Sequence, residues 1–110
     1  MRDAAVVIGE MLDTIGAARE CCADKTFEGF SQTRMARLAA ERALEILSEA
    51  ARHLPLDVQD RHPHIPWAKI KAVGNVLRHE YHRVAPKIVW DVITADLDTL
   101  EAALRKEQAP

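Results

Sequence analysis

A short segment in the second half of this 110-residue chain brings together the side chains best suited to phosphate chemistry. Lys71, Asn75, Arg78, His79 and His82 follow one another at spacings of one, three and four residues. A neutral imidazole accepts a proton, an imidazolium donates one, and a guanidinium binds phosphoryl oxygens as negative charge builds. Two histidines close to an arginine therefore supply the groups that phosphodiester cleavage requires.

These polar residues share one face if the segment is helical. On a helical wheel centred on Asn75, they fall on an arc from about −60° for Arg78 to about +40° for His79. Tyr81 lies on the boundary of this arc. Three apolar residues fall on the opposite side and are expected to face the core: Ile70, Val73 and Leu77. Spacing alone leaves two interpretations open, a functional face and an ordinary solvated one.

The same part of the chain carries a local excess of positive over negative charge. The chain has 15 Lys and Arg against 17 Asp and Glu, a formal charge of −2, which excludes bulk attraction to nucleic acid or anionic lipid. Residues 61–87 hold six Lys or Arg and one acid, Glu80, whereas the remainder holds nine basic and sixteen acidic residues. Four of the five histidines also lie there: His62, His64, His79 and His82. Either this window is a chance fluctuation or it forms a local site for a phosphate-bearing ligand.

Helices must position this face, because apolar residues recur at helical spacing and alternating strand patterns are scarce. The pattern predicts four main helices, from about Asp3 to Cys22, Gln32 to His53, Trp67 to His82, and Pro86 to Lys106. Asp3 can cap the first of them. A short connecting helix is expected at Leu56 to Arg61, and a loop or single turn with two core phenylalanines at Asp24 to Thr33. The prediction is an all-α, up-and-down bundle that forms a single domain over residues 1–110.

Two of these helices have clear apolar stripes. The second helix is expected to turn five residues inward, with Arg42 on the same stripe: Met35, Leu38, Ala39, Ile46 and Ala50. The last helix is expected to bury Val89, Ile93, Leu97, Leu100 and Leu104. Arg42, Glu45 and Glu49 stand on successive turns of the second helix, where a structural ion network and a role in supporting a functional cleft are both open.

Composition and cysteine use indicate the compartment. No apolar run reaches the roughly 18 residues of a spanning helix, and the N-terminus has no signal-peptide pattern, so a cytoplasmic protein is expected. Cys21 and Cys22 are adjacent, which favours idle thiols over a disulfide. His62 and His64 have no cysteine or carboxylate at a supporting spacing, so neither a metal site nor another cofactor is predicted.

The run from Ile65 to Trp90, IPWAKIKAVGNVLRHEYHRVAPKIVW, closely resembles the HepT-like toxins of the HEPN superfamily. The likeness extends over nearly the whole chain, including residues 1–3, 41–51 and 96–97. The resemblance implies a HEPN-type helical bundle and a homodimer whose two motif helices line a cleft between protomers. It also implies a metal-independent endoribonuclease, in which a ribose 2′-hydroxyl attacks the adjacent phosphodiester and leaves a cyclic phosphate.

The family motif is an arginine followed by a polar residue, then a histidine and, two positions later, a tyrosine. Asn75, His79 and Tyr81 match it, but Gly74 stands where the family has arginine. One hypothesis is that Arg78, one turn later, reaches over the space that Gly74 leaves empty and replaces the missing cation. The alternative is loss of catalysis, with Gly74 allowing close helix packing.

The resemblance assigns roles to these residues and implies a partner. His79 is the expected general acid or base, with Arg78 steadying the phosphate and Asn75 orienting the site. Lys71, His82 and Arg83 are candidate substrate-binding residues. The implied partner is a minimal nucleotidyltransferase antitoxin that adds AMP to the motif tyrosine, Tyr81, for which a packing role remains the alternative. A second hypothesis for the whole chain is a non-catalytic HEPN domain that binds RNA, a nucleotide or its partner.

Overall fold

Every regular element is helical in the computed structural model, which describes residues 3–80, 82 and 84–108. The elements are α1 (Ala4–Glu20), α2 (Phe27–Gln32), α3 (Arg34–Arg52), α4 (Leu56–Asp60), α5 (Trp67–Glu80), α6 (Pro86–Asp91), a π-helical turn (Val92–Asp96) and α7 (Leu97–Gln108). The predicted all-α bundle is confirmed, with α6, the π-helical turn and α7 forming the fourth main helix. The expected turn after α1 is the short helix α2, and the expected connecting helix is α4.

Local sequence signals account for the starts of the first two helices. The Asp3 side chain accepts a hydrogen bond from the Ala5 N–H at 2.8 Å and caps α1, as its position predicts. The Thr26 hydroxyl accepts from the Gly29 N–H at 3.1 Å and caps α2 in the same way. α1 then turns its apolar stripe inward, and Val7, Met11 and Ile15 are completely buried.

The last helix buries its whole predicted stripe: Val89, Ile93, Leu97, Leu100 and Leu104. Successive spacings of four residues would drift around a regular α-helix, and the wider π-helical turn keeps Ile93 and Leu97 on the core side. Near its start, the Trp90 ring lies 5.3 Å from that of the buried Phe30, between centroids. The short helix α2 is thereby fastened to the last helix.

The prediction for the inner face of α3 is wrong, because of the five expected residues only Ala50 is buried. Met35, Leu38 and Ile46 are 74%, 48% and 41% exposed, and Ala39 and Arg42 are exposed as well. The buried face consists mainly of small residues: Ala40, Ala43, Leu44, Leu47, Ser48, Ala50 and Ala51. α3 packs against both α1 and α5, and small side chains let two neighbouring helices approach closely. The larger apolar residues are left on the outer face.

None of the described helices is both long and apolar enough to cross a membrane.

Candidate functional site

Three predicted site residues lie together on the exposed face of α5. Asn75, Arg78 and His79 are all exposed, and the Arg78 Nη2 donates a hydrogen bond to the Asn75 Oδ1 at 2.6 Å. His79 follows Asn75 by four residues, which places both side chains on one face of a helix. We refer to Asn75, Arg78 and His79 as the motif face. It presents a guanidinium, an amide and an imidazole to solvent within about one helical turn.

The opposite side of α5 faces the core, as the wheel predicts. Leu77 is buried, and Ile70 and Val73 are half-buried. The amphipathic division of α5 therefore holds the motif face outward. This exposure suits a large substrate such as a polymer, because none of the three polar side chains is covered by another helix.

The other candidate residues have different surroundings. Lys71 is half-buried, and its Nζ donates to the Gln59 Oε1 at 2.7 Å, so its ammonium group is held against the end of α4. His82 is exposed beyond the last turn of α5. Tyr81 and Arg83 lie outside the described residues, and the roles expected for them stay predictions.

The space beside Gly74 is filled, which corrects the hypothesis that Arg78 reaches over an empty position. A Cβ atom at position 74 would lie 2.7 Å from the Ser48 Oγ and 2.8 Å from the Ser48 Cβ, closer than real Cβ contacts. Gly74 is itself buried, and its N–H donates to the Ser48 Oγ at 3.1 Å. The glycine allows α3 and α5 to touch, as the alternative interpretation predicts.

Position 74 therefore points at α3 and not at the motif face. Ser48 also donates to the Lys71 carbonyl oxygen at 2.8 Å, and Arg52 donates to the same oxygen at 3.0 Å. These pairs, 52 with 71 and 48 with 74, show that α3 and α5 run antiparallel. On the side of α5 that faces solvent, Arg78 is the arginine that this helix offers to a ligand.

The basic segment does not form a single patch. Arg61 makes a 2.6 Å ion pair with Glu107, and Lys87 makes a 3.2 Å pair with Asp91 and lies over the Phe27 ring. Arg61 and Lys87 therefore form ion pairs with residues of the last helix. Among the described residues, Arg78 places positive charge directly beside Asn75.

A buried network fastens the start of α5 to the end of α7. The Trp67 indole N–H donates to the carbonyl oxygens of Gln59 and His62, at 3.1 and 3.0 Å. The buried His62 ring contacts Glu107, with 2.8 Å between its Nε2 and the Glu107 Oε2. Hydrogen bonds from Arg61 and His62 lower the pKa of Glu107 to about 2. Sequence reasoning missed this network, because Glu107 lies 45 residues from its partner and no local pattern joins them.

A cavity of about 340 Å³ opens beside Arg78, between α1, α3 and α5. Its lining comprises Glu10, Arg42, Glu45, Ile46, Glu49, Ala50 and Arg78. Arg42 Nη1 lies 3.0 Å from Glu45 Oε2, which confirms the predicted ion pairing along α3. The cavity borders the motif face, so this network lies next to the candidate site. We call it the α3–α5 cavity.

A larger cavity of about 470 Å³ lies on the other side of α5, against the last helix. Much of its lining is apolar, including Leu44, Ile70, Val73 and Val92. It is separated from the motif face by the body of α5, so it offers no binding surface to a phosphate held at Arg78.

In the described part of the chain, no three His, Cys, Asp or Glu side chains come together in a group that could hold a metal ion. Cys21 and Cys22 are free thiols, and burial raises the pKa of both. A raised thiol pKa keeps the sulfur protonated and weakly nucleophilic, which fits the expectation of idle thiols.

Comparison with known families decides the assignment. The family model described as "Ribonuclease HepT-like" matches residues 11–107, which include α5 and the whole motif face. The chain belongs to the HepT-like ribonuclease family. The resemblance drawn from the Ile65–Trp90 run is confirmed.

Individual relatives agree with this assignment. The chain is 33% identical over 80% of its length to "Probable ribonuclease HepT" of Thermococcus cleftensis, covering 76% of that protein. It is 27% identical over 91% of its length to "Putative RNase MJ1380" of Methanocaldococcus jannaschii, covering 92% of it. A third relative from the same archaeon, "Gamma-glutamylcyclotransferase and putative RNase MJ0434", is 27% identical over 96% of the chain, which spans only 47% of that longer protein. No solved structure matches the chain.

In this HepT-like chain, the two residues expected from the sequence to match the polar residue and the histidine of the family motif, Asn75 and His79, lie on an exposed helix face. Gly74, expected at the position of the motif arginine, is packed against Ser48 where α5 meets α3.

Proposed function

We propose that this HepT-like chain is a metal-independent endoribonuclease that cleaves RNA in the cytoplasm and acts as the toxin of a toxin–antitoxin pair. The observation that carries the proposal is the motif face, where Arg78 is hydrogen-bonded to Asn75 at 2.6 Å with His79 on the same side of α5. Membership of a ribonuclease family supplies the reaction class.

The chemistry needs a base, an acid and a cation. His79 accepts the proton of a ribose 2′-hydroxyl, whose oxygen attacks the adjacent phosphorus as the bond to the 5′-oxygen breaks. The equivalent histidine of a second copy donates a proton to that leaving oxygen. The products are a 2′,3′-cyclic phosphate and a 5′-hydroxyl end. Arg78 binds the phosphoryl oxygens in the pentacoordinate transition state, where their negative charge is greatest.

Asn75 acts on the arginine. Its amide oxygen accepts from the Arg78 guanidinium, which fixes one edge of that group and leaves its other N–H donors free for a phosphate. Lys71, His82 and Arg83 are proposed to bind the flanking RNA, with Lys71 contributing a weaker contact because its ammonium group is engaged by Gln59.

The proposal includes a homodimer, and the outer face of α3 supports it. Met35 and Leu38 are 74% and 48% exposed on a helix that runs antiparallel to α5. This arrangement brings the middle of α3, near Arg42 and Glu45, level with the last turn of α5, and Met35 and Leu38 lie on α3 beyond that level. A twofold contact between two such faces would bury both apolar stripes and bring two motif faces together, since an isologous interface uses the same patch twice.

Met35→Asp combined with Leu38→Asp is expected to abolish this dimer. The two added carboxylates would be buried without partners at a twofold contact, which strongly opposes association. Light scattering gives the mass of each variant in solution. Leu56→Asp, at another exposed leucine (70% exposed), is the control. A double variant that keeps the wild-type mass would place the dimer contact elsewhere or exclude it.

The proposed partner is a minimal nucleotidyltransferase that transfers AMP to Tyr81. Tyr81 follows His79 by two residues, so an added phosphate group would bring negative charge close to the RNA site and repel the substrate. Co-expression with a nucleotidyltransferase encoded beside this gene should add the mass of AMP to the intact protein. A Tyr81→Phe variant should keep its mass, and an unmodified wild-type protein would contradict the proposal.

The decisive experiment is RNA cleavage by purified protein in excess EDTA. We expect wild-type protein to cleave, with 2′,3′-cyclic phosphate ends identified by mass spectrometry, and His79→Ala to lose cleavage. His64→Ala, which removes another exposed histidine outside the motif face, should retain it. A requirement for a divalent metal, or full activity without His79, would overturn the proposed mechanism.

A second candidate function is a non-catalytic domain that binds RNA, a nucleotide or the partner transferase. One observation favours it: the motif position usually held by arginine is a buried glycine packed on Ser48. Wild-type protein that binds RNA but leaves it uncut would decide for this alternative.

A further inference from the structure

The α3–α5 cavity shares Arg78 with the motif face. Its volume of about 340 Å³ falls within the size range of small-molecule pockets. In RNA, each phosphate is one ribose away from a base. A phosphate held by Arg78 would therefore place the base of a flanking nucleotide within reach of this cavity.

The floor and walls of the cavity differ in character. Ile46 and Ala50 supply an apolar surface suited to the flat face of a heterocycle, and Ile46 is 41% exposed. The walls carry Arg42, Glu45 and Glu49 from successive turns of α3. An apolar surface next to hydrogen-bonding side chains can recognise an unstacked base.

Two carboxylates of the walls, Glu45 and Glu49, are paired. Glu45 accepts from Arg42 at 3.0 Å, and Glu49 lies 3.3 Å from the His53 Nε2 and 3.9 Å from the Arg52 Nε. With these two carboxylates next to cations, the α3 side of the cavity offers acceptors and donors together. It therefore suits a neutral ligand with both kinds of group better than it suits a second phosphate.

We propose that the α3–α5 cavity is a base pocket that selects guanine beside the cleaved phosphate. This inference rests on the proposed ribonuclease function. Guanine presents two adjacent donors on one edge, N1–H and the N2 amino group, which match the two oxygens of a carboxylate. It presents two adjacent acceptors on another edge, O6 and N7, which match a guanidinium. Adenine and cytosine each offer a single amino group, and uracil offers none.

Glu45 is the carboxylate assigned to the N1 and N2 edge. Its side chain is only 20% exposed, so the pocket excludes much of the water that would compete for it. Arg42 is 69% exposed and, being held at one end by Glu45, is placed to swing to O6 and N7. Arg78 forms the wall between the pocket and the motif face.

The first test measures binding without any cleavage. Guanosine, adenosine, cytidine and uridine, none of which carries a phosphate, are titrated into the full chain and followed by NMR. We expect guanosine to bind at least about tenfold more tightly than the others. Glu45→Gln should remove this preference, because an amide replaces one of the two acceptors with a donor.

Glu101→Gln is the matched control, because Glu101 is also a half-buried glutamate paired with an arginine, Arg19 at 2.8 Å, but lies outside the cavity. It should bind guanosine as wild type does. Equal binding of the four nucleosides by wild-type protein would overturn the pocket. Absence of guanosine binding by wild-type protein would also overturn it. If Glu45→Gln then changed the oligomeric mass, the occupant of the cavity would be a second copy of the chain.

The second test separates this inference from the ribonuclease proposal. Oligoribonucleotides with one guanosine in an adenosine and uridine background should be cut next to the guanosine, and Glu45→Gln should cut them without that preference. Cleavage at many sites with no guanosine binding would overturn the base pocket and leave the ribonuclease standing. Guanosine binding without any cleavage would support the pocket and overturn the ribonuclease.

Discussion

Arg78 and Asn75 form a hydrogen-bonded pair on the motif face. A guanidinium alone on a helix surface samples many rotamers, whereas the 2.6 Å hydrogen bond to Asn75 restricts this one. Fixing the cation before the substrate arrives lowers the entropic cost of binding the phosphate. In this chain Asn75 thus restricts the guanidinium of Arg78.

Replacement of Arg78 by alanine is expected to lower the cleavage rate by about 10²–10³-fold, because the transition-state charge loses its main donor. The cleavage rate of Arg78→Lys should lie between the rates of wild type and Arg78→Ala, since an ammonium group keeps the charge but loses the planar pair of donors. Initial rates on one RNA substrate measure both. Arg105→Ala, at an exposed arginine of α7, is the control. Wild-type rates in Arg78→Ala would remove this residue from the mechanism.

Helix positions and the composition of the motif face were predictable from sequence, since both follow from periodicity within one element. Asp3 caps α1, and the α5 wheel separates Leu77 from Asn75 as expected. The inner face of α3 was not predictable in the same way. This helix has two apolar stripes, and hydrophobicity alone favours the larger side chains of Met35 and Leu38. The close approach of α5 instead requires small side chains on the buried face of α3. That approach depends on both helices, so the sequence of α3 alone does not reveal it.

The contact between Gly74 and Ser48 shows the same limit. The local sequence does not show whether the space beside a glycine Cα is empty or is filled by a neighbouring helix. Here it is filled, because the Ser48 Oγ accepts from the Gly74 N–H and donates to the Lys71 carbonyl oxygen. Gly74, at the position expected for the motif arginine, therefore contacts a residue 26 positions earlier in the chain, Ser48.

Gly74→Ala is expected to destabilise the fold by about 1–2 kcal/mol. Alanine in a helix normally gains about 0.5–1 kcal/mol over glycine, but overpacking against Ser48 costs about 1–3 kcal/mol. Urea unfolding followed by circular dichroism gives the free energies. Gly16→Ala, where an added Cβ meets nothing within 4 Å, should be neutral or stabilising.

Ser48→Gly added to Gly74→Ala should recover stability relative to the sum of the two single changes, because it vacates the space that the new methyl group needs. A favourable coupling of about 1 kcal/mol or more is expected for side chains in direct contact. Additive effects, or a Gly74→Ala protein as stable as wild type, would mean that the two helices adjust without cost.

Glu107 joins the last helix to the segment that precedes α5. This carboxylate near the end of α7 accepts from Arg61 at 2.6 and 3.1 Å and contacts His62 at 2.8 Å, just before the turn that begins α5. The motif helix is thus anchored at its start by the far end of the chain and along its length by Ser48. In its last turn, Leu77 is buried on the core side and His79 is exposed on the other.

Glu107→Gln is expected to destabilise the protein at neutral pH, and the effect should shrink in acid. The folded pKa of Glu107, about 2, lies below the ordinary value of 4.5, so its ionised form stabilises the fold fully above pH 4.5 and loses that contribution as the pH falls towards 2. We expect a loss on the order of 2 kcal/mol at pH 7, falling to roughly three-fifths of that value at pH 3.5, in urea unfolding at both pH values. Glu20→Gln, at an exposed glutamate of α1, should have little effect at either pH. A Glu107→Gln penalty that is the same at pH 3.5 and pH 7 would show that the ionised carboxylate does not stabilise the closure of the bundle.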